Sequence, residues 1–169
     1  MLQMNDAFYD GIAEGYDELY MEEQLRKLAT ISERLRVSEG TTLLDVGCGS
    51  GISTRFFRCR RTGIDPSEKL LAIARREDPE GSYLKGCVEN LPFPDSSFDV
   101  VMSVTAAGNF SAVEEGISEI HRVARGRVVI SFLKRSPKRR AIEAAILRHF
   151  AVEHTDEEEK DCIYFLEKR

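Results

Sequence analysis

One glycine-rich segment constrains the fold of this chain more than any other. Leu43–Val46 is a short apolar run that favours a β-strand, and helical character begins near Ile52. Between them stand three glycines at alternate positions, Gly47, Gly49 and Gly51. Glycine accepts positive φ and has no Cβ, so a ligand can lie against such a turn. The segment predicts a strand–turn–helix unit whose free N–H groups face outward near a helix start.

Strand and helix patterns alternate along the rest of the chain. Four further strands are predicted at Thr62–Asp65, Ser82–Lys85, Phe98–Val104 and Val128–Leu133. Two more, Phe150–Glu153 and Cys162–Leu166, are joined by a short acidic turn, which requires antiparallel pairing. This order predicts an α/β fold with a seven-stranded, mostly parallel sheet and helices on both faces.

Apolar periodicity locates two of the helices. The first is expected between Tyr20 and Arg36, with an inner stripe of Leu25, Leu28, Ser32 and Leu35. In the helix before the fifth strand, the stripe is Val113, Ile117, Ile120 and Val123. Gly126 is expected to close this second helix.

Asp65 adds a ligand prediction to the glycine turn. It ends the second strand, twenty positions after Asp45. In a strand–turn–helix–strand unit, a carboxylate at this place faces the ribose of a nucleoside that lies over the turn. Its two oxygens can accept both ribose hydroxyls and would repel a 2′-phosphate. A dinucleotide-binding dehydrogenase is disfavoured, because Ile52 breaks the GxGxxG spacing that holds a pyrophosphate.

Three motifs together resemble those of the class I S-adenosylmethionine-dependent methyltransferases. They are LLDVGCGSG at 43–51, GIDPSEKLL at 63–71 and ENLPFPDSSFDVV at 89–101. The nearest branch is the small-molecule, type 11 branch with the ubiquinone- and menaquinone-type C-methyltransferases. AEGYD at 13–17 and EIHRV at 119–123 are also similar to this branch. The resemblance implies strand order 3-2-1-4-5-7-6 with an antiparallel seventh strand. It implies one Rossmann-like domain over 1–169, with a helical cap at 1–36 and a core at 37–169.

The resemblance also implies which residues bind S-adenosylmethionine. The methionine part would lie over the glycine turn, with Asp45 near its amino group, while Asp65 takes the ribose hydroxyls and Pro66 touches the adenine. Cys87 and Val88 depart from the acidic-or-amide residue and alanine that the family often carries, so backbone contacts to the base are expected there. The full cofactor set is Tyr16, Asp45, Gly47, Cys48, Gly49, Ser50, Gly51, Asp65, Pro66, Cys87, Val88, Glu89 and Thr105.

The sequence says less about the methyl acceptor than about the cofactor. Methyl transfer from a sulfonium is an in-line displacement that depends mainly on alignment and requires no metal. The end of the fourth strand, Val104–Phe110, lacks the [DN]-P-P-[FYW] tetrapeptide of amino-group DNA and glutamine methyltransferases. This absence argues against those substrates, and the resemblance to the small-molecule branch implies a small-molecule acceptor. Tyr9, Tyr20 and Asn109 are its candidate contacts, and no catalytic residue is assigned.

Composition and charge predict the cellular compartment but leave more than one class of function open. The first twenty residues carry five acidic side chains, and the longest uncharged run, Val100–Val113, is too short to span a bilayer, so a cytoplasmic protein is expected. The four cysteines form no CxxC pair. The net charge of −5 does not favour nucleic acid, yet eight basic residues lie between Ile120 and Ile142. An RNA or protein methyltransferase that uses the basic stretch of 122–140, and a non-catalytic cofactor-binding protein, remain alternatives; the oligomeric state is open.

Overall fold

A computed structural model describes residues 21–169 and centres them on a single seven-stranded sheet. The strands are β1 (Thr42–Val46), β2 (Arg60–Asp65), β3 (Ser82–Lys85), β4 (Phe98–Ser103), β5 (Ala124–Leu133), β6 (Phe150–Glu157) and β7 (Asp161–Lys168). Their order is β3-β2-β1-β4-β5-β7-β6. β7 runs antiparallel to β5 and β6, and all other pairs are parallel. The predicted fold class and strand order are therefore confirmed.

Helices cover both faces of this sheet. They are α1 (residues 21–34), α2 (Ile52–Phe56), α3 (Glu68–Glu77), α4 (Val113–Val123) and α5 (Arg139–His149). In the part of the chain from 21 to 169, none of them has the length and apolar character that a membrane-spanning helix requires.

Two apolar cores hold these layers together. On one face, α4 and α5 bury residues such as Ile117 and Ile146 in the same cluster as Leu44 and Phe132. On the other face, α1 joins a cluster with Met102, Val129 and Phe57. Every large side chain that enters a core contributes about 1.5–3 kcal/mol of transfer free energy. The two cores hold the sheet in place. The carboxyl ends of β1, β2 and β4, which lie on the same side of the sheet, are therefore a firm support for the loops that follow them.

The inner stripe of α1 differs from the prediction. Leu28, Ile31 and Leu35 are buried, but Leu25 is 42% exposed and Ser32 is only half-buried. The helix is rotated so that Lys27 faces inward, and its ammonium pairs there with Asp161. A periodicity analysis that counts only apolar residues assigns a buried lysine to the wrong face.

The predicted end of α4 at Gly126 is also wrong. The helix ends at Val123, and the chain is already extended at Ala124, with φ −76° and ψ 141°. Ala124 pairs with Phe98 of β4, so β5 begins four residues earlier than Val128 and includes Gly126. Pairing with the neighbouring strand decides this boundary, and the local sequence does not.

Candidate functional site

The three glycines after β1 form the turn that the sequence predicts. Their φ values are 76° at Gly47, 54° at Gly49 and 82° at Gly51, all in the left-handed region that favours glycine. A Cβ at Gly47 would lie 2.4 Å from the Cβ of Ala106, whereas a Cβ at Gly49 would come no nearer than 3.9 Å to Leu70. Packing therefore excludes a side chain at Gly47, while the turn leaves room at Gly49.

Cys48 and Ser50, the residues between these glycines, turn into the protein. Cys48 is buried in a small cluster with Leu71, Ala74 and Tyr83. Burial raises the pKa of its thiol well above the usual range, which removes the thiolate that a nucleophile needs. Ser50 is buried as well, and its backbone carbonyl accepts a hydrogen bond from Arg55 Nη1 at 3.1 Å. Cys48 thus acts as a small residue that fits the turn.

Asp45 lies on β1 directly before the turn and is fully buried. Its Oδ2 accepts hydrogen bonds from Ser53 Oγ at 2.6 Å and Thr54 Oγ1 at 2.7 Å. Among residues 21–169, its Oδ1 has no hydrogen-bond partner. Burial raises the pKa of this carboxyl to about 6, although the two hydroxyl hydrogen bonds oppose the shift. A buried carboxylate with one unsatisfied oxygen is an acceptor that a cationic donor can complete.

The two hydroxyl donors were not among the predicted site residues. Ser53 and Thr54 follow the glycine turn on α2, eight and nine positions after Asp45. The signal that could have revealed them is the pair of adjacent hydroxyl residues in the first turn of a helix that must pack beside a buried acid. They hold one carboxylate oxygen in place, while the other has no partner in the part of the chain that the structure describes.

Asp65 ends β2 and connects the glycine turn to the next helix. Its Oδ2 accepts a hydrogen bond from the Gly49 amide and its Oδ1 accepts one from the Ser67 amide, both at 2.9 Å. Only 8% of Asp65 is exposed. A carboxylate that backbone amides hold in place at the end of a strand is the kind of acceptor that ligand hydroxyls bind. The next residue, Pro66, is half-buried, and Ser67 after it caps the start of α3.

The third predicted loop approaches Asp65 from the end of β3. The Gly86 amide donates to the Asp65 carbonyl at 3.1 Å, and Cys87 follows with an exposed side chain. Val88 is buried. The Glu89 carboxylate accepts hydrogen bonds from the amides of Ser111 at 2.7 Å and Ala112 at 3.1 Å. Its side chain therefore serves the start of α4, whose N-cap Ala112 has no capping group of its own.

The EIHRV motif has a structural role in holding this loop. Glu119 Oε2 accepts a hydrogen bond from the Leu91 amide at 2.8 Å. Arg122 pairs with Glu119 and donates to the carbonyls of Leu91 at 3.0 Å and Phe93 at 2.8 Å. Together the two side chains of α4 tie down the loop that runs from the 3-10 turn at Val88–Asn90 toward β4.

The residues predicted to lie on the acceptor side are at the end of β4. Thr105 has a left-handed backbone, with φ 57°, and its amide donates to Ser131 on β5. The next residue, Ala106, lies against Gly47. Asn109 is exposed in the short 3-10 turn Ala107–Asn109. The predicted residues Tyr9, Tyr16 and Tyr20 lie outside the described residues.

Comparison with known proteins agrees with this geometry. The model of the methyltransferase domain family matches residues 44–132. A malonyl-[acyl-carrier protein] O-methyltransferase of Enterobacter lignolyticus is 30% identical over 125 residues, which is 72% of this chain and 50% of the relative. A demethylmenaquinone methyltransferase of Thermotoga maritima is 33% identical over 135 residues, or 72% of this chain and 58% of the relative. The chain spans about half the length of these curated relatives.

Solved structures repeat the fold. A SAM-dependent methyltransferase from Aquifex aeolicus superposes with a TM-score of 0.74 at 17% identity and covers 84% of this chain and 89% of its own. A putative methyltransferase in complex with the Haloferax volcanii Trm112 activator reaches 0.79 at 19% identity, over 95% and 97%. The family match covers more than half of the chain and contains the glycine turn, Asp45 and Asp65. The chain therefore belongs to the methyltransferase domain family, within the class I S-adenosylmethionine-dependent methyltransferases.

Proposed function

We propose that this chain transfers the methyl group of S-adenosylmethionine to a small-molecule acceptor. The observation that carries the proposal is the pair of buried carboxylates, Asp45 and Asp65, on either side of the glycine turn. At one end, Asp45 has an oxygen without a hydrogen-bond partner among residues 21–169, and at the other end Asp65 is a carboxylate held in place by the amides of Gly49 and Ser67. The room at Gly49 lies between them in sequence.

The chemistry of these donors and acceptors fits the cofactor. The α-ammonium group of a methionine moiety is the kind of cation that completes Asp45 Oδ1. Ribose hydroxyls are the donors that the Asp65 carboxylate would accept. The base would contact the backbone at Val88 and Glu89, since the Glu89 carboxylate is already bonded to the amides of Ser111 and Ala112. When bound, the cofactor supplies a methyl group that is already activated by its positive sulfur.

The protein's own contribution is then alignment and exclusion of water. Small and apolar residues line the chain just after β4, Val104–Phe110, and Ala106 lies directly against the glycine turn. Holding two reacting groups in line can account for about 7–11 kcal/mol of a barrier. No side chain is assigned as a general base, so an acceptor that is nucleophilic at working pH is the expected class.

Two observations favour a small acceptor over RNA. The names of the curated relatives describe methylation of a malonyl group on acyl-carrier protein and of demethylmenaquinone. The basic stretch of 122–140 is largely occupied within the protein itself. Six of its eight basic side chains bind neighbouring acids or carbonyls: Arg122, Arg125, Arg127, Lys134, Lys138 and Arg139.

Replacement of Asp65 by alanine is expected to weaken binding of S-adenosylhomocysteine by about 1.5–3 kcal/mol, roughly 10- to 150-fold. The variant loses the acceptor for the ribose and also the brace between Gly49 and Ser67. Isothermal titration calorimetry measures the change. Asp156→Ala on β6, which removes an acid far from the turn in the sheet order, is the matched control. Wild-type affinity in a folded Asp65→Ala protein would remove Asp65 from the site.

Methyl transfer itself is tested with S-adenosylmethionine labelled in the methyl group. A cell extract is separated into low-molecular-weight, protein and RNA fractions, and each is incubated with the protein. We expect label in the low-molecular-weight fraction, and roughly tenfold less or lower with the Asp65→Ala variant at a cofactor concentration below saturation. Label in RNA alone, or in protein in a form that hydroxylamine cleavage of thioesters does not release as a small molecule, would support the corresponding alternative. Binding without label in any fraction would support a non-catalytic role.

A further inference from the structure

A buried ion pair joins α1 to the start of β7. Lys27 Nζ lies 2.8 Å from Asp161 Oδ2, and the two side chains are only 5% and 2% exposed. The same ammonium donates to Thr105 Oγ1 at 2.6 Å, and the Thr105 hydroxyl donates to Asp161 Oδ1 at 3.2 Å. The three side chains form a closed triangle at the carboxyl end of β4.

Thr105 is held in a backbone conformation that threonine rarely adopts. Its φ is 57°, and its branched Cβ makes the left-handed region costly. The amide is fixed by Ser131, whose carbonyl and hydroxyl accept from it at 3.1 Å and 2.8 Å. The side chain is fixed by Lys27 and Asp161. The residue is thus anchored at both ends, which is the condition under which such strain persists.

This left-handed residue determines where the chain goes after β4. Directly beyond it, Ala106 comes so close to Gly47 that a Cβ on the glycine would lie 2.4 Å from that of Ala106. Gly47 is the first residue of the glycine turn and follows Asp45 by two positions. A continuous set of contacts therefore leads from the ion pair through Thr105 and Ala106 to the turn.

We propose that Lys27 and Asp161 are positioning residues for the cofactor turn, acting through the backbone of Thr105. The inference rests on the proposed function in one respect, that the turn binds S-adenosylmethionine. Stability alone does not explain the pair, because burying two charges carries a desolvation cost. A protein with apolar residues of similar size in their place is often equally stable. The ion pair bonds to the Thr105 hydroxyl and so holds Ala106 against Gly47. An apolar pair would offer that hydroxyl no hydrogen bond.

The test removes both charges together, because a single substitution would leave one of them buried and unpaired. In Lys27→Met/Asp161→Leu, Thr105 loses its tether and relaxes toward ordinary φ. Binding of S-adenosylhomocysteine must then restore the strained backbone. The strain of a non-glycine left-handed residue corresponds to roughly 5- to 150-fold in an equilibrium constant, so we expect affinity to fall on the order of thirtyfold.

A third substitution distinguishes positioning from general packing. Adding Thr105→Gly to the double variant supplies a residue that adopts positive φ without a tether, at an entropic cost of roughly two- to fivefold. Because the Thr105 hydroxyl is bonded to Lys27 and Asp161, we assign its predicted cofactor contact to the backbone, which glycine retains. We therefore expect affinity to return to within about fivefold of wild type. The control is Arg34→Met/Asp156→Leu, which removes another ion pair between α1 and the β6–β7 hairpin, at 3.3 Å, that does not touch Thr105. It should bind as wild type does.

A second readout does not depend on the cofactor. The backbone amide resonances of Gly47 and Ala106 should shift in the double variant and return in the triple variant. Unchanged resonances, or a double variant with wild-type affinity, or a failure of glycine to rescue, would overturn the proposal. Should the wild-type chain bind no S-adenosylhomocysteine, the proposed function fails and the resonances alone decide. Should the double variant not fold, Thr105→Val, which keeps the ion pair, must show weaker binding and shifted resonances.

Discussion

Asp45→Asn is expected to make the cofactor-free protein more stable near pH 8 and to weaken its binding of S-adenosylhomocysteine. The buried carboxyl has a pKa of about 6, above its ordinary 3.8, so its charge opposes folding once it is ionised. That penalty is worth up to about 3 kcal/mol. An asparagine amide removes the charge but buries an N–H group without an acceptor, so a net gain of about 1–2 kcal/mol is expected.

The sign of the pH dependence provides a further check. For an acid whose pKa is raised by folding, the penalty is absent below the unfolded value and grows as pH rises to the folded value. The stability difference between Asp45→Asn and wild type should therefore increase between pH 3.8 and about 6 and stay constant above. Urea unfolding at a series of pH values measures it, with Asp156→Asn as the surface control. A variant less stable than wild type near pH 8 would contradict the account.

The same substitution should weaken binding of S-adenosylhomocysteine roughly tenfold or more, because a charge-assisted hydrogen bond is lost. The carboxylate thus costs stability and supplies binding, which is the usual conflict at a functional site. Protonation of Asp45 should also weaken binding in the wild-type protein. The affinity for S-adenosylhomocysteine should fall as pH is lowered through about 6, where Asp45 becomes neutral. Calorimetric titrations over this range test both points, and equal affinity at all pH values would remove Asp45 from the site.

Gly47→Ala is expected to lower the free energy of unfolding by about 3 kcal/mol. The left-handed φ of 76° costs an L-residue about 1–2 kcal/mol. The new methyl group would lie 2.4 Å from the Cβ of Ala106, and relief of such overpacking costs about 1–3 kcal/mol more. Because the turn and the end of β4 must move apart, cofactor binding should be lost as well. Thermal unfolding and calorimetry measure the two effects.

Two controls separate the contributions at Gly47. Gly40→Ala places a methyl group where, its chain neighbours aside, no atom of residues 21–169 lies within 4 Å, so its effect on stability should be within about 0.5 kcal/mol. Combining Gly47→Ala with Ala106→Gly removes the clash and leaves only the backbone strain, so about half of the loss should be recovered. Equal destabilisation in the single and double variants would show that the contact with Ala106 is not the cause.

The sheet could be predicted from sequence because its strands carry local signals. Apolar runs, glycine turns and helical spacing identify each element, and the family resemblance gives their order. The boundaries at Ala124 and Asp161 were less accessible, because strand pairing extends β5 and β7 beyond their apolar centres. The rotation of α1 was also hidden, since only the three-dimensional partner of Lys27 explains why a lysine is buried.

In the candidate site too, some residues could be predicted from local sequence and others could not. Asp45, Asp65 and the glycines lie near the carboxyl ends of parallel strands, so the topology brings them together on one side of the sheet. The hydroxyls of Ser53 and Thr54 and the capping role of Glu89 depend on side-chain directions that spacing does not determine. The contact of Ala106 with Gly47 joins residues 59 positions apart. Sequence motifs identify what a site binds more readily than they identify what holds it in shape.

The most direct test of the central claim is calorimetric titration of the protein with S-adenosylmethionine and, separately, with NAD. The geometry of Asp45, the glycine turn and Asp65 predicts roughly micromolar binding of S-adenosylmethionine, with one molecule bound per chain. It predicts no binding of NAD, because the GxGxG turn and Ile52 do not provide the pyrophosphate site. Binding of NAD in preference, or of neither compound by the folded protein, would contradict the assignment of this turn as a methyltransferase cofactor site.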